Sequence, residues 1–265
     1  MITVNGTDLY HEVYGDGVPI LGIHGTPSSA RLWVDAAQEL ARRGRCIIYD
    51  RRGFSRSRQL GSSDALDLAD HVEDAAGLLD ALEATPAVVI GRSTGGLIAL
   101  ELAYRYPDKV AVLVLLEPAA FSVDPEASAE AERIRSEVLA AADQDPSRAA
   151  EVVSRAALGD WFWDGLPSEV KAILAEESPA VLAEIRGRGL DLSAKPRAFT
   201  ADELASIRQP TLLVSAQDSI AILHLVNNRL AQGLPHVETA LIPGGHLIDP
   251  AHPVVLEYVE RFIAS

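Results

Sequence analysis

The run Gly91-Arg92-Ser93-Thr94-Gly95-Gly96 has the residue types for nucleophilic catalysis. It reads G-x-S-x-G, with the apolar run 88–90 before it and the helical stretch 97–106 after it. A sharp strand-to-helix turn lifts a serine hydroxyl out of the backbone, and small neighbours keep the strained turn free of clashes. The helix start then aims its N–H groups at developing negative charge. The pattern is short enough to arise by chance, so the strand and helix on either side give it its meaning. Serine is a weak nucleophile and needs a base. Among seven histidines, His246 is the best placed. It lies in Pro243-Gly244-Gly245-His246, after the last apolar strand and before the final helix, at the sheet edge where open α/β sheets bind ligands. His252 reads as solvated, and His11, His71 and His236 as strand or helix-surface residues. His224, in the helix after strand 211–214, is a minor alternative, and His24 reads as a residue that holds its loop.

Two carboxylates compete to orient the imidazole. Asp218 follows the strand 211–214, and Glu117 ends the strand Val110–Leu116. Loop capping at Asp218 and a structural hydrogen bond at Glu117 are the bland readings. His24-Gly25-Thr26-Pro27 follows the strand Pro19–Ile23. Its glycine lets the N–H of Thr26 approach a substrate oxygen, with the N–H of Thr94 as the second oxyanion donor.

These residues need a parallel sheet whose strand ends converge. Short apolar runs at Pro19–Ile23, 46–49, 88–90, Val110–Leu116, 211–214 and 238–242 alternate with amphipathic stretches. The stretch 65–82 carries Leu68, Val72, Ala75, Ala76 and Leu79 at helical spacing. Ile2–Val4 and 9–14 flank Asn5-Gly6 and read as an antiparallel start. Val110–Leu116 is apolar throughout, as in a strand covered on both faces. From about 119 to 206 no β-branched run appears, and helix starts stand at Asp145-Pro146 and Ser178-Pro179. The β–α rhythm then resumes. The reading is an α/β core over 1–118 and 206–265, interrupted by a helical cap over 119–205.

Four segments together resemble the α/β-hydrolase superfamily over nearly the whole chain: His24 to Ser29, Asp50-Arg51-Arg52-Gly53-Phe54-Ser55-Arg56-Ser57, the Ser93 elbow, and Pro243 to His246. The resemblance implies a mostly parallel eight-stranded sheet flanked by helices, a cap after the sixth strand (Val110–Leu116), and no cofactor. It also favours Asp218 as the acid, since that is the commoner position, while Glu117 stands where some relatives, lactone hydrolases among them, carry theirs. Two departures stand out. Arg92 replaces the usual histidine before the nucleophile, and Ser55 replaces a usual glycine.

The expected function is a serine hydrolase acting on a carboxylic ester or lactone. A ligand receptor or slow-turnover binding protein on the same fold, or a lyase such as a hydroxynitrile lyase, is the alternative. Trp161, Phe162 and Trp163 cluster in a chain with 5% aromatics, and are read as pocket-lining or as packing within the cap. A net charge of −15 disfavours nucleic acid and anionic membranes as partners, leaving a small molecule. One cysteine, Cys46, excludes an internal disulfide and a cysteine-rich zinc site, and no metal site is expected. Neither a leader nor a membrane span is legible, so the expectation is a cytoplasmic protein.

Overall fold

The structure, a computed structural model, describes residues 1–59 and 64–263. A hairpin of β1 (Ile2–Val4) and β2 (Thr7–Leu9) turns at Asn5-Gly6, both at positive φ. The chain then enters the main sheet through β3 (His11–Tyr14), β4 (Pro19–Ile23), β5 (Arg45–Tyr49), β6 (Ala87–Arg92), β7 (Val110–Leu116), β8 (Thr211–Ala216) and β9 (Val237–Ile242). Their order is β3-β5-β4-β6-β7-β8-β9, with β3 antiparallel to β5 and every other pair parallel. Among the described residues the main sheet thus has seven strands where eight were expected. The segment 9–14 breaks at Tyr10, so β1 and β2 pair only with each other.

Successive residues of a strand point to opposite faces, and the core divides accordingly. Val88, Ile90, Val112, Val114 and Leu116 pack on one face with Trp33. On that side lie α1 (Val34–Leu40) and α11 (Pro253–Ile263), which supply Ala37, Leu40, Val255 and Val259. Val89, Leu113 and Leu115 pack on the other face. They meet α2 (Leu68–Ala81), α3 (Thr94–Arg105) and α10 (Ala221–Gly233) there through Val72, Leu79, Leu100 and Val226. A strand clothed on both faces must be apolar at every position, which explains the unbroken sequence of β7.

Between β7 and β8 the described chain has no strand: it forms α4 (Pro125–Gln144), α5 (Ala149–Leu158), α6 (Asp160–Gly165), α7 (Ser168–Ala175), α8 (Ser178–Arg186) and α9 (Ala201–Ser206), short 3-10 turns, and an irregular stretch after α8 with one isolated bridge, Gly189 to Pro196. Asp124 caps α4, its carboxylate accepting from the N–H of Glu126 at 2.9 Å, with Pro125 at the first helical position. Asp145-Pro146 starts a single 3-10 turn that runs into α5. No described helix is long and apolar enough to cross a membrane.

Candidate active site

Ser93 sits between the last residue of β6 and the first of α3, at φ 56° and ψ −124°. A left-handed φ is costly for a side chain with a Cβ, and such strain persists only where its surroundings hold it. They do so here. The N–H of Ser93 donates to Leu116 O at 3.1 Å, and its carbonyl accepts from Gly96 at 2.8 Å and Ala119 at 3.0 Å. The flanking glycines are required by crowding. A Cβ on Gly91 would lie 2.3 Å from Gly95 O, and one on Gly95 would lie 2.2 Å from Ile23 O.

His246 stands in the loop between β9 and α11. Its Nδ1 lies 2.8 Å from Glu117 Oε2, with both side chains buried. A carboxylate only accepts, so Nδ1 carries the proton and Nε2 of the neutral ring carries the lone pair. Glu117 is itself braced. Ala216 N–H donates to Oε1 at 2.8 Å, and the Ser219 hydroxyl to Oε2 at 2.8 Å. Like Ser93, it has a positive φ, 46°.

The preference for Asp218 is therefore corrected: the carboxylate on the imidazole is Glu117. Asp218 is exposed and contributes its backbone N–H to Gly244 O at 2.9 Å. β7 lies between β6 and β8 in the sheet, so its end opens beside the elbow, and the longer glutamate side chain spans to the histidine loop. The end of β8 supplies hydrogen-bond donors to the acid rather than the acid itself.

Thr94 opens α3, where a backbone N–H has no acceptor within its own helix. Thr26, in the loop after β4, lines the same cavities as Ser93. Ser93, His246 and Thr26 line two cavities at once. One, of about 440 Å³, is walled mainly by apolar residues including Leu32, Phe162, Leu166, Val170, Ile173 and Leu247. The other, of about 30 Å³, is walled by residues including Phe121, Ile134, Val153, Ile220 and Asp191.

A sequence profile described as the alpha/beta hydrolase fold matches residues 18–249. The chain belongs to that family. A relative from Azorhizobium caulinodans, provisionally named carbamate hydrolase RutD, is 31% identical over 94% of this chain and 91% of its own. A thermophilic esterase from Thermogutta terrifontis superposes with TM-score 0.74 at 26% identity, covering 97% of this chain and 93% of that one. An enzyme described as N-acyl homoserine lactone degrading has TM-score 0.73 at 24% identity, covering 99% and 98%, a likeness of fold.

This α/β hydrolase accounts for its two departures from the family pattern. Ser55 adopts φ 45°, the conformation for which glycine is the usual residue, and its N–H donates to Glu177 Oε2 at 2.9 Å. Arg92 is buried, and burial lowers its pKa to about 10. Its Nη1 donates to Ile248 O at 3.2 Å, two residues beyond His246, so it steadies the histidine loop from below the elbow.

Of the aromatic cluster, only Phe162 lines the large cavity. Trp161 is 79% exposed and Trp163 is buried, its ring 6.0 Å from the Arg155 guanidinium carbon. Consecutive residues of α6 point about 100° apart, so of the three aromatic residues read as pocket-lining or cap-packing, Phe162 is the one at the cavity, and Trp161 and Trp163 are not among its lining residues. His24 holds its loop as expected. Its Nε2 accepts from Arg51 N–H at 3.0 Å, and its Nδ1–H donates to Gly25 O at 2.8 Å. Burial, then the Arg51 charge, keeps its pKa well below the usual imidazole value.

Three charged residues at this site carried no role in the sequence reading: Arg51, Glu184 and Asp191. Arg51, fully buried, donates to Glu184 Oε1 at 2.5 Å, to Gly25 O at 3.0 Å and to Thr26 Oγ1 at 2.5 Å. The Thr26 hydroxyl in turn donates to Glu184 Oε2 at 2.8 Å. His71, read as a surface residue, is buried with Nε2 3.2 Å from Glu184. Burial opposes ionisation of Glu184, but the Arg51 charge, with His71 and Thr26, overcomes it and holds the pKa at about 2. On the other side, the Thr94 hydroxyl donates to Asp191 Oδ2 at 3.0 Å. Each threonine is thus tied by its hydroxyl to a carboxyl from the stretch between β7 and β8.

Proposed function

We propose that this α/β hydrolase cleaves a carboxylic ester or lactone through an acyl-enzyme on Ser93, beneath a cap formed by residues 119–205. The observation that carries the reading is the buried His246–Glu117 hydrogen bond beside a serine held at a strand-to-helix elbow. Ser93 Oγ attacks the carbonyl carbon while His246 Nε2 takes its proton. Glu117 orients the ring and balances the imidazolium charge. The tetrahedral oxyanion lies against the N–H groups of Thr26 and Thr94. Collapse expels the alkoxide, which takes the proton from His246. Water, activated by the same nitrogen, then cleaves the acyl-enzyme. A small-molecule substrate fits the 440 Å³ cavity, which lies within the usual range for ligand sites.

The test is a panel of esters and lactones, with carbamates included because the full-length relative carries that name. Multiple turnovers and a transient acyl mass on Ser93 by intact-mass spectrometry are expected. Turnover with no adduct under any quench would point to a lyase-like route, and one burst without turnover to a receptor.

A further inference from the structure

The two cavities at Ser93 differ in chemistry as well as size. Apart from Thr26, Ser93 and His246, which the proposed reaction uses, Asp191 is the one polar residue lining the 30 Å³ cavity among the described residues. Phe121, Ile134, Val153, Ile220 and Leu223 make the rest of its wall greasy. A carboxyl among such neighbours is costly, and an apolar residue would fill the place at less expense to the fold. The Thr94 hydroxyl and the residue's own backbone N–H are its donors, which leaves the group further acceptor capacity. The space beside it admits at least one water-sized group, room for a hydroxyl, hydroxymethyl or small amide.

We propose that Asp191 forms a polar subsite that holds a hydroxyl or N–H on a small substituent beside the scissile carbonyl, while the 440 Å³ cavity takes an extended apolar chain. The inference rests on the hydrolase reading and deepens it: the substrate is a polar-headed ester or lactone with a long apolar arm. Burial, then the nearby negative Glu184, pushes the Asp191 pKa up to about 7. Near neutrality both its forms are populated, and both suit such a partner. The acid donates to a hydroxyl oxygen, and the carboxylate accepts from O–H or N–H. An anionic substituent is repelled by the ionised form, so the subsite selects neutral polar groups.

Two matched pairs test this from either side of the carbonyl. On the acyl side, decyl 3-hydroxybutanoate is compared with decyl butanoate. On the alcohol side, 2-hydroxyethyl decanoate is compared with propyl decanoate. The wild-type protein is expected to prefer the hydroxylated member of at least one pair by about tenfold or more in kcat/KM. Asp191→Leu should bring that ratio close to one, and the isosteric Asp191→Asn, which still hydrogen-bonds, should keep part of it. The readout is the ratio within a pair. Loss of both members by one factor, no preference in either pair, or a preference that survives Asp191→Leu would overturn the proposal. Kd values for the same pairs on the Ser93→Ala protein read the subsite without turnover. If the wild type hydrolyses none of these esters and none of the lactones in the panel, it is the ester-or-lactone reading that falls. The Kd ratio still judges the subsite.

Discussion

Two sets of side chains meet at Ser93, and they are held in different ways. Those from the strand ends, Ser93 and Glu117, are fixed by the backbone. Both have positive φ and sit at the C-terminal ends of adjacent parallel strands, and ladder groups of the next strand bond to them. Those from the stretch between β7 and β8, Glu184 and Asp191, are fixed by side-chain partners: Arg51 and Thr26 for one, Thr94 for the other. The strand-end group can place reacting atoms to a fraction of an ångström, because a sheet edge is rigid. The group from the stretch between β7 and β8, one member on α8 and one in the turn that follows it, supplies the surroundings, which can vary without disturbing the elbow.

The comparison breaks most visibly at the elbow. Ser93→Ala is expected to lower kcat by about 10⁴-fold or more with the fold intact, read by ester turnover and circular dichroism. A folded Ser93→Ala protein with most of its rate would remove the nucleophile. Next comes the acid. Glu117→Gln should cost about 10⁴-fold in kcat by analogy with triads whose orienting carboxylate is removed, while Asp218→Asn should stay within about threefold. The reverse ranking would restore the commoner acid position and contradict the observed hydrogen bond.

Glu184→Gln tests the set from between β7 and β8 through stability. Removing one partner of a buried ion pair costs about 3–5 kcal/mol, measurable by urea unfolding. The two carboxyls should also respond to pH with opposite sign. Glu184 is held at about 2 against an ordinary 4.5, so its contribution is complete above pH 4.5 and fades as pH falls toward 2. Asp191 is raised to about 7 from 3.8. The folded protein therefore favours its acid form, and stability is lost as pH rises from about 4 through 7. Asp191→Asn should gain in Tm relative to wild type between pH 5 and pH 8. A constant difference across that range would contradict the shift. The smallest effects belong to α6. Phe162→Ala should raise KM for long-chain esters by roughly tenfold, on the scale of a buried aromatic contact. Trp161→Ala should change kcat/KM by less than about twofold.

The same division explains what was legible in the sequence. Gly91 and Gly95 can be nothing larger, so the elbow is written in residue types. His246 stands in a loop that the β–α alternation places at the correct sheet edge. The rank order of the acids was not legible, because Asp218 and Glu117 both follow strands. Which one meets the imidazole depends on where β7 and β8 end relative to the histidine loop. Glu184 and Asp191 left no mark at all: a chain with 38 acidic residues offers many carboxylates outside its strands. One partial signal existed. Arg51 lies in the Asp50 to Ser57 segment, and a buried arginine must find a carboxylate somewhere. His71 misled in the same way, since the residue it meets, Glu184, lies on α8, far along the chain.

The Arg51–Glu184 contact sets a rule for recombining this protein with its relatives. A segment spanning 119–205 is an attractive unit to exchange, since it enters after β7 and leaves before β8. Carrying in a foreign segment without a carboxylate at the place of Glu184 strands a guanidinium in a dry interior, directly beneath Thr26. Such chimeras should be recovered poorly from expression, and those that fold should have a displaced 24–27 loop. Replacing Arg51 with methionine in the same step removes the orphaned charge while keeping most of its volume. The graft boundary that matters is therefore drawn in space, and it takes in a residue more than sixty positions upstream of the segment being exchanged.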